Sequence, residues 1–379
     1  MDFLIAGIIS ITWKQCVMYL IGVLLIYLAI KKNVEPALLL PMGFGAILIN
    51  IPLSGAVTQM MTNIGEVNGI LSWLFEIGIE ASEAMPLLLF IGIGAMIDFG
   101  PLLSNPKLIL FGAAAQWGIF ATITVATLFG FNIVDAASIG IIGAADGPTA
   151  ILVSQVLQSK YMGPIAVAAY SYMALVPIIQ PIVIKCITTK KERMIRMEYN
   201  PAGVSQRAKI IFPIAVTFIA GLIAPASVAL VGLLMFGNLI KECGVLQSLS
   251  ETAQTTLVNL ITLLLGISIA TTMRAEDFVN VQTLLIMLLG LLAFIFDTFA
   301  GVMFAKLLNL FSKKKINPMV GAAGISAFPM AARVIQKMGQ AEDKQNNLLM
   351  HAVSANVAGQ IGSVIAGGVI LGLVPMMIG

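Results

Sequence analysis

Charge is scarce in this sequence of 379 residues, where 21 Lys and Arg and 18 Asp and Glu together make up 10% of the chain. Soluble domains carry about 25%. With 59% hydrophobic residues and a mean hydropathy of +0.99, no packing of soluble elements could hide the apolar surface, because interior volume grows too slowly with length. That shortage disfavours a soluble enzyme and a nucleic-acid binder. Cysteine is nearly missing as well. The three present, Cys16, Cys186 and Cys243, are an odd number in or beside apolar segments. They argue against a secreted disulfide scaffold and read as buried small hydrophobes. A lone histidine, His351, cannot build a histidine metal site. The alternation that marks β-barrel strands is absent, and the apolar runs are continuous. The opening Met1-Asp2-Phe3-Leu4-Ile5 has no basic residue and no A-x-A-like processing site follows, so no cleaved signal peptide is expected.

Long apolar runs are what the chain has instead. Bounded by Gly, Pro, Asn or charge, ten of them approach the 17 to 25 or so residues that cross a bilayer. They lie near 16–31, 36–55, 84–99, 107–129, 163–189, 208–223, 225–242, 255–272, 281–311 and 347–377. The amphipathic stretch 60–82, around Asn68, Trp73 and Glu76, is placed at the interface. The longest polar stretch, Lys185 to Lys209, holds Lys190, Lys191, Arg193, Arg196 and Arg207 and is therefore assigned to the cytoplasm. Counting crossings from it puts Lys31, Lys32, Lys107, Lys241 and Lys313-Lys314-Lys315 on the same side. Arg274 is the exception. Both termini then lie outside.

Two segments read alike. Ile141-Ile142-Gly143-Ala144-Ala145-Asp146-Gly147-Pro148-Thr149-Ala150 has a counterpart in Met319-Val320-Gly321-Ala322-Ala323-Gly324-Ile325-Ser326-Ala327, and the run 90–96 resembles 264–270 at a similar offset. An odd number of crossings separates the halves, so they are inverted in the membrane. The divisions are 1–35 (N-terminal span), 36–190 (first repeat), 191–224 (loop and linking span) and 225–379 (second repeat). Within the repeats, 135–158 and 316–339 are interrupted at their centres by Gly and Pro and read as re-entrant hairpins meeting near the midplane. The fold expected is an all-α polytopic membrane protein of about ten transmembrane helices with two re-entrant hairpins in an inverted repeat. Paired broken segments point to a transporter's binding site, since open backbone is tolerated at depth only where protein or a watery cavity surrounds it.

Asp146, at the tip of the first hairpin, is an ionisable group at the midplane and a functional candidate by default. A carboxylate among freed carbonyls is a hard-oxygen site that suits a small alkali cation or a proton. The plain alternative is an N-cap for the helix 147–158, and the two roles can coexist. The second hairpin carries Asn317, Gly321 and Ser326, of which Asn317 and Ser326 offer neutral oxygens to complete a cation shell around Asp146, or else simply hydrogen-bond between helices. Arg333 offers a fork matched to a carboxylate, or a positive-inside anchor. Asn356 and Gln360 add polar groups one turn apart. Tyr170 and Tyr172 are candidates for a proton relay or an aromatic belt. Asp98, near a span's end, and Asp297, mid-span without an evident partner, are weaker.

At Gly143–Ile151 and Asn317–Ala327 the chain resembles the membrane β subunit of the biotin-dependent, sodium-pumping decarboxylases, which act on oxaloacetate, methylmalonyl-CoA or glutaconyl-CoA. Phe328–Val334 and His351–Gln360 match as well, and the likeness runs from about Gly92 to the end. The short N-terminal stretch looks more like the acyl-CoA members. The resemblance implies a subunit that decarboxylates carboxybiotin, consumes a proton and exports Na+. It places Asp146 at the Na+-binding aspartate, and Asn317, Gly321 and Ser326 in a second ion-binding region, with Asn356 as a further Na+ candidate. Arg333 falls at the arginine linked to carboxybiotin and Tyr172 on the ion and proton path. It also implies a biotin carrier subunit, a carboxyltransferase (α) subunit, a small single-span membrane subunit, homo-oligomerisation and a bacterial cytoplasmic membrane. No Met-Lys-Met biotinylation sequence and no GxxxxGK[ST] occurs here, so biotin and acyl-CoA belong to partners. The competing class is a stand-alone cation-coupled carboxylate or cation/proton transporter, and a passive channel ranks third.

Overall fold

The structure, a computed structural model, describes residues 7–32, 36–62, 65–81, 83–198 and 203–378. The Met1–Ile5 stretch lies outside the described residues. Each of the ten apolar segments becomes helical, yet not all become full spans. Among the described residues seven continuous helices are long and apolar enough to cross a membrane, and nine if two bent pairs each count as one. The chain is an all-α polytopic membrane protein.

In chain order, α1 is Trp13–Lys32 and α2 is Pro36–Asn50. At 1.5 Å per residue, α2 reaches only about 22 Å, short of the roughly 30 Å hydrocarbon thickness. It was expected to reach residue 55. It stops where buried Asn50 turns its side chain to cap two neighbours, donating to the carbonyls of Ala46 and Met273 and accepting from Ala275 N–H. The stretch placed at the interface, 60–82, includes most of a β-hairpin, β1 (Thr58–Met61) against β2 (Gly65–Asn68) in antiparallel register. It continues into α3 (Ile70–Phe75) and a wider turn to Glu80. After a 64° bend comes α4 (Ala84–Met96). With 13 residues, α4 is too short to be, alone, the full span expected at 84–99, and it counts as one only when taken together with the bent segment before it.

The span expected at 107–129 is α5 (Ile109–Ala115) and α6 (Trp117–Leu128), joined at Gln116. Next come the first broken segment, α7 (Ile133–Gly140) with a tighter turn Ile141–Ala144, and α8 (Gly147–Val156). The following α9 (Met162–Ile187) bends by 68° between Met173 and Leu175. Pro177 is the cause: it has no N–H to give and its ring crowds the carbonyl four residues back, at Met173. The remaining spans are α10 (Gln206–Ile223), α11 (Val228–Glu242), α12 (Val258–Ile269) within a span beginning at Gln247, and α13 (Val281–Phe311). The second broken segment is α14 (Pro318–Ala322) and α15 (Met330–Glu342), before α16 (Leu349–Ile378). The cysteines are not buried as their apolar surroundings predict. Cys16 and Cys186 are exposed and Cys243 half-buried, all free thiols. Lipid tails are as apolar as a protein core, so a small apolar side chain has no need of the interior.

Candidate functional site

Helix α7 starts cleanly because Asn132 caps it, its side chain accepting the N–H of Asp135 at 2.8 Å. The helix tightens over Ile141–Ala144 and then stops at Ala145, which sits in the left-handed region at φ 53°. For a residue with a Cβ this costs about 1–2 kcal/mol, so the surrounding packing must impose it. The reversal delivers Asp146 to the N-cap of α8. Asp146 is 4% exposed. Its carboxylate accepts three bonds: from Thr149 N–H at 3.4 Å, Thr149 Oγ1 at 2.7 Å and, from α16, Ser363 Oγ at 2.9 Å. The ring of Tyr170, from α9, packs against the start of α8. A Cβ on Gly147 would stand 2.1 Å from its ring, so only glycine fits there.

The second break, 323–329, meets the first tip to tip. Ser326 N–H donates to the carbonyl of Ala144 at 2.9 Å, and its hydroxyl donates to Gly359 C=O at 3.0 Å. From α16, Asn356 Nδ2 donates to Ile325 C=O at 2.6 Å, and Gln360 Nε2 donates to Ser326 C=O. The amide nitrogens are thus used on the break, which leaves Asn356 Oδ1 and Gln360 Oε1 buried without a donor. Orphaned buried oxygens are costly, and they suit a hard cation. Beside Asp146 lies a cavity of about 180 Å³, whose lining includes Tyr170, Met173, Ser326, Phe328 and Gln360.

Not every expected residue arrives. Asn317 caps α14 instead, accepting from Met319 N–H and donating to the carbonyls of Arg193 and Ile195 in the basic loop. Gly321 packs backbone to backbone on α13, where a Cβ would meet Gly301 C=O at 2.0 Å. Neither lines the cavity beside Asp146. Tyr172 does not line this cavity, its hydroxyl donating to Met287 C=O of α13; of the two tyrosines it is Tyr170 that lines it. Arg333 lines a separate cavity of about 400 Å³ with Pro177, Pro181, Met330 and Lys337. Asp98 is exposed and paired with Lys209 at 3.4 Å. Asp297 is fully buried, its carboxylate packed against Gly118 and Gly143.

Two donors to Asp146 went unnoticed in the sequence, though each left a signal. Thr149 stands three residues after an N-cap, the position whose N–H a cap receives. Ser363 follows Asn356 and Gln360 at helical spacing, so the three form one polar stripe on an otherwise apolar helix.

Broken helices that meet around a buried carboxylate, inside a polytopic helical membrane protein, are the architecture of membrane transport proteins. The comparison with known proteins is more specific. Residues 14–374 match the family of the Na+-transporting oxaloacetate decarboxylase beta subunit, and the chain belongs to that family. It is 48% identical to methylmalonyl-CoA decarboxylase subunit beta of Propionigenium modestum, over 97% of this chain and 96% of that protein. To glutaconyl-CoA decarboxylase subunit beta of Acidaminococcus fermentans it is also 48% identical, over 97% and 96%. The oxaloacetate decarboxylase beta chain of Haemophilus ducreyi is 45% identical, over 98% of each chain. The resemblance read from the two motifs therefore holds along nearly the whole sequence.

Proposed function

We propose that this subunit decarboxylates carboxybiotin presented by a biotin carrier subunit and couples that step to Na+ export across a bacterial cytoplasmic membrane. In this reading the ring-nitrogen-to-carboxyl bond breaks, CO2 leaves, and the electron pair stays on the ring nitrogen, which takes up a proton. A carboxyltransferase (α) subunit, a small single-span membrane subunit and further copies of this chain complete the assembly. The β subunit then meets only the carboxylated carrier, and the identity of the upstream acid is a property of the carboxyltransferase.

The observation that carries the reading is the junction of the two breaks. Asp146 supplies a carboxyl group there, and Asn356 Oδ1 and Gln360 Oε1 are buried oxygens in want of a positive partner. Thr149, Ser326 and Ser363 add neutral oxygens within the same hydrogen-bonded group. Such an all-oxygen set fits an alkali cation. Arg333 holds the carboxylate of carboxybiotin in the other cavity, with a fork a lysine cannot imitate. The two cavities share no lining residue among those described, but both are lined by α9 and they adjoin at the start of α15. Tyr170 and Met173 lie on one side of the α9 bend with Pro177 and Pro181 on the other, and Phe328 and Arg333 stand at either end of the entry to α15. Release of CO2 at one cavity can thereby be felt at the other. We further infer an inverted repeat in which the two broken segments are re-entrant hairpins from opposite faces.

Exporting one Na+ against 100 mV costs about 2.3 kcal/mol before any gradient, so an exergonic partner step is required. The test is reconstitution of the complex in sodium-loaded vesicles with and without carboxylated carrier. Na+ movement tied to CO2 release, and lost in Asp146→Asn with assembly intact, is the expected result. Full-rate Na+ exchange without the carrier would overturn the reading in favour of a stand-alone exchanger.

A further inference from the structure

The basic residues around α15 divide into two kinds. At its C-terminal end Glu342 and Asp343 are taken up by the basic loop, Glu342 by Arg193 and Asp343 by Arg196, each at 2.6 Å. On other elements Lys209 reaches Asp98 and Glu242, and Lys306 reaches Glu192. Arg333 and Lys337, in contrast, have no acidic partner among the described residues, although two carboxylates end their own helix. Four residues apart, they lie on one face of α15. Both are exposed, and both open into the same cavity of about 400 Å³.

The rest of that cavity is apolar: Pro177 and Pro181 below the α9 bend face Met330, Val334 and Met338. Its size is that of a small-molecule site, mostly apolar with a few convergent polar groups. Two unpaired cations on one apolar wall suit a compact ring that carries a carboxylate.

We propose that Lys337 is a second binding residue for the carboxylate of the carboxylated cyclic urea ring, acting beside Arg333 in the cavity between α9 and α15. This rests on the reading of that cavity as the carboxybiotin site. Arg333 supplies the planar fork and orientation. Lys337 supplies a mobile point charge on a long stem, which draws the anion in and is given up when CO2 departs and the charge vanishes.

The test uses the assembled complex, with carboxylated carrier as the substrate. Lys337→Gln should raise KM for the carrier by about tenfold, the effect expected for one charge-assisted hydrogen bond, with kcat and the Na+ concentration for half-activation unchanged. Lys337→Arg should restore KM to within about twofold, and Lys337→Glu should raise it beyond the Gln variant. A second measurement places a cysteine at 337 in a background lacking Cys16, Cys186 and Cys243. Carboxylated carrier should shield it from a maleimide, and uncarboxylated carrier should not. An unchanged KM in Lys337→Gln, or equal shielding by both carriers, overturns the role of Lys337 while Arg333→Lys still lowers kcat. If Arg333→Lys also leaves turnover normal, the underlying assignment of the cavity fails instead.

Discussion

Asp146 does two jobs with one carboxylate. It caps α8, and it gathers two hydroxyls, from Thr149 and Ser363, that are donors now but carry lone pairs. When a cation enters, each hydroxyl can turn an oxygen towards it without leaving its place. On the proposed reading of this junction as the Na+ site, removing one hydroxyl should therefore weaken ion binding without abolishing it. Ser363→Ala and Thr149→Val are each expected to raise the Na+ concentration for half-maximal decarboxylation by about tenfold, in keeping with hydrogen bonds to a charged group. Sodium titration of the purified complex checks this, and unchanged half-activation in both would reduce Thr149 and Ser363 to capping and packing.

Among the elements, the short α14 is held by contact rather than by charge. Gly321 and Gly301 face each other so closely that a Cβ on either would stand 2.0–2.1 Å from the other's carbonyl oxygen. Gly321→Ala and Gly301→Ala should accordingly destabilise to a similar extent, about 1–3 kcal/mol for overpacking, read by thermal unfolding in detergent. Half-activation by Na+ in the folded fraction should not move; a selective loss of Na+ affinity in Gly321→Ala alone would return Gly321 to the ion site.

The basic loop is a second such element. Its short helical turn Lys190–Arg193 is closed by a capping box between Thr189 and Glu192, and ion pairs tie it to α13 and α15. The Arg196 guanidinium holds the Asp343 carboxyl below the usual carboxylate range. Burial pushes Glu192 up, but the Thr189 donors and Lys306 outweigh it and hold it low. Because both folded values lie below the unfolded ones of about 4, the stabilisation is present above that range. It is lost as pH falls through the depressed values. Amide protection in 188–198, the exchange rate relative to the intrinsic rate at each pH, should therefore fall as the pH is lowered from about 5 towards 3, and Arg196→Gln should remove the share that belongs to Asp343. A flat pH response would mean that the pairs contribute nothing to docking, as many surface pairs do.

For the molecule as a whole, direction matters, since a pump has to face the right way. The basic residues imply that the loop at 188–198 faces the cytoplasm and that the end of α16 lies outside. A single cysteine at Glu192 should react with an impermeant thiol reagent only from the cytoplasmic side, and one at Met376 only from outside. Reversed labelling of both would turn the protein over and move the Arg333 cavity away from any carrier in the cytoplasm.

Much of this architecture is legible in the residues, because a bilayer imposes strict terms on a chain. Apolar runs near twenty residues, breaks marked by Gly and Pro, a carboxylate at a break and basic loops on one side all follow from dielectric and length alone. Those constraints are local, and they were enough to identify the helical class, the two broken segments and Asp146. Partner choice is not local. Ser363 reaches Asp146 across 217 positions of sequence, Ser326 finds the carbonyl of Ala144, and Asn317 turns from the expected ion region to the loop at Arg193 and Ile195. Tyr170 and Tyr172, two residues apart on one helix, face different neighbours, and only the packing of α8 and α13 decided which of them meets the cavity. A polar side chain buried in a membrane protein takes the nearest donor or acceptor that folding supplies, because leaving it unpaired costs more than any preference written in its own segment. Composition and run length settled that the chain is a bundle of membrane helices interrupted near Asp146 and Ser326, because those terms are local; the bends after Glu80 and at Met173 show only in the folded chain, and the oxygens that meet at the junction came from packing between distant segments.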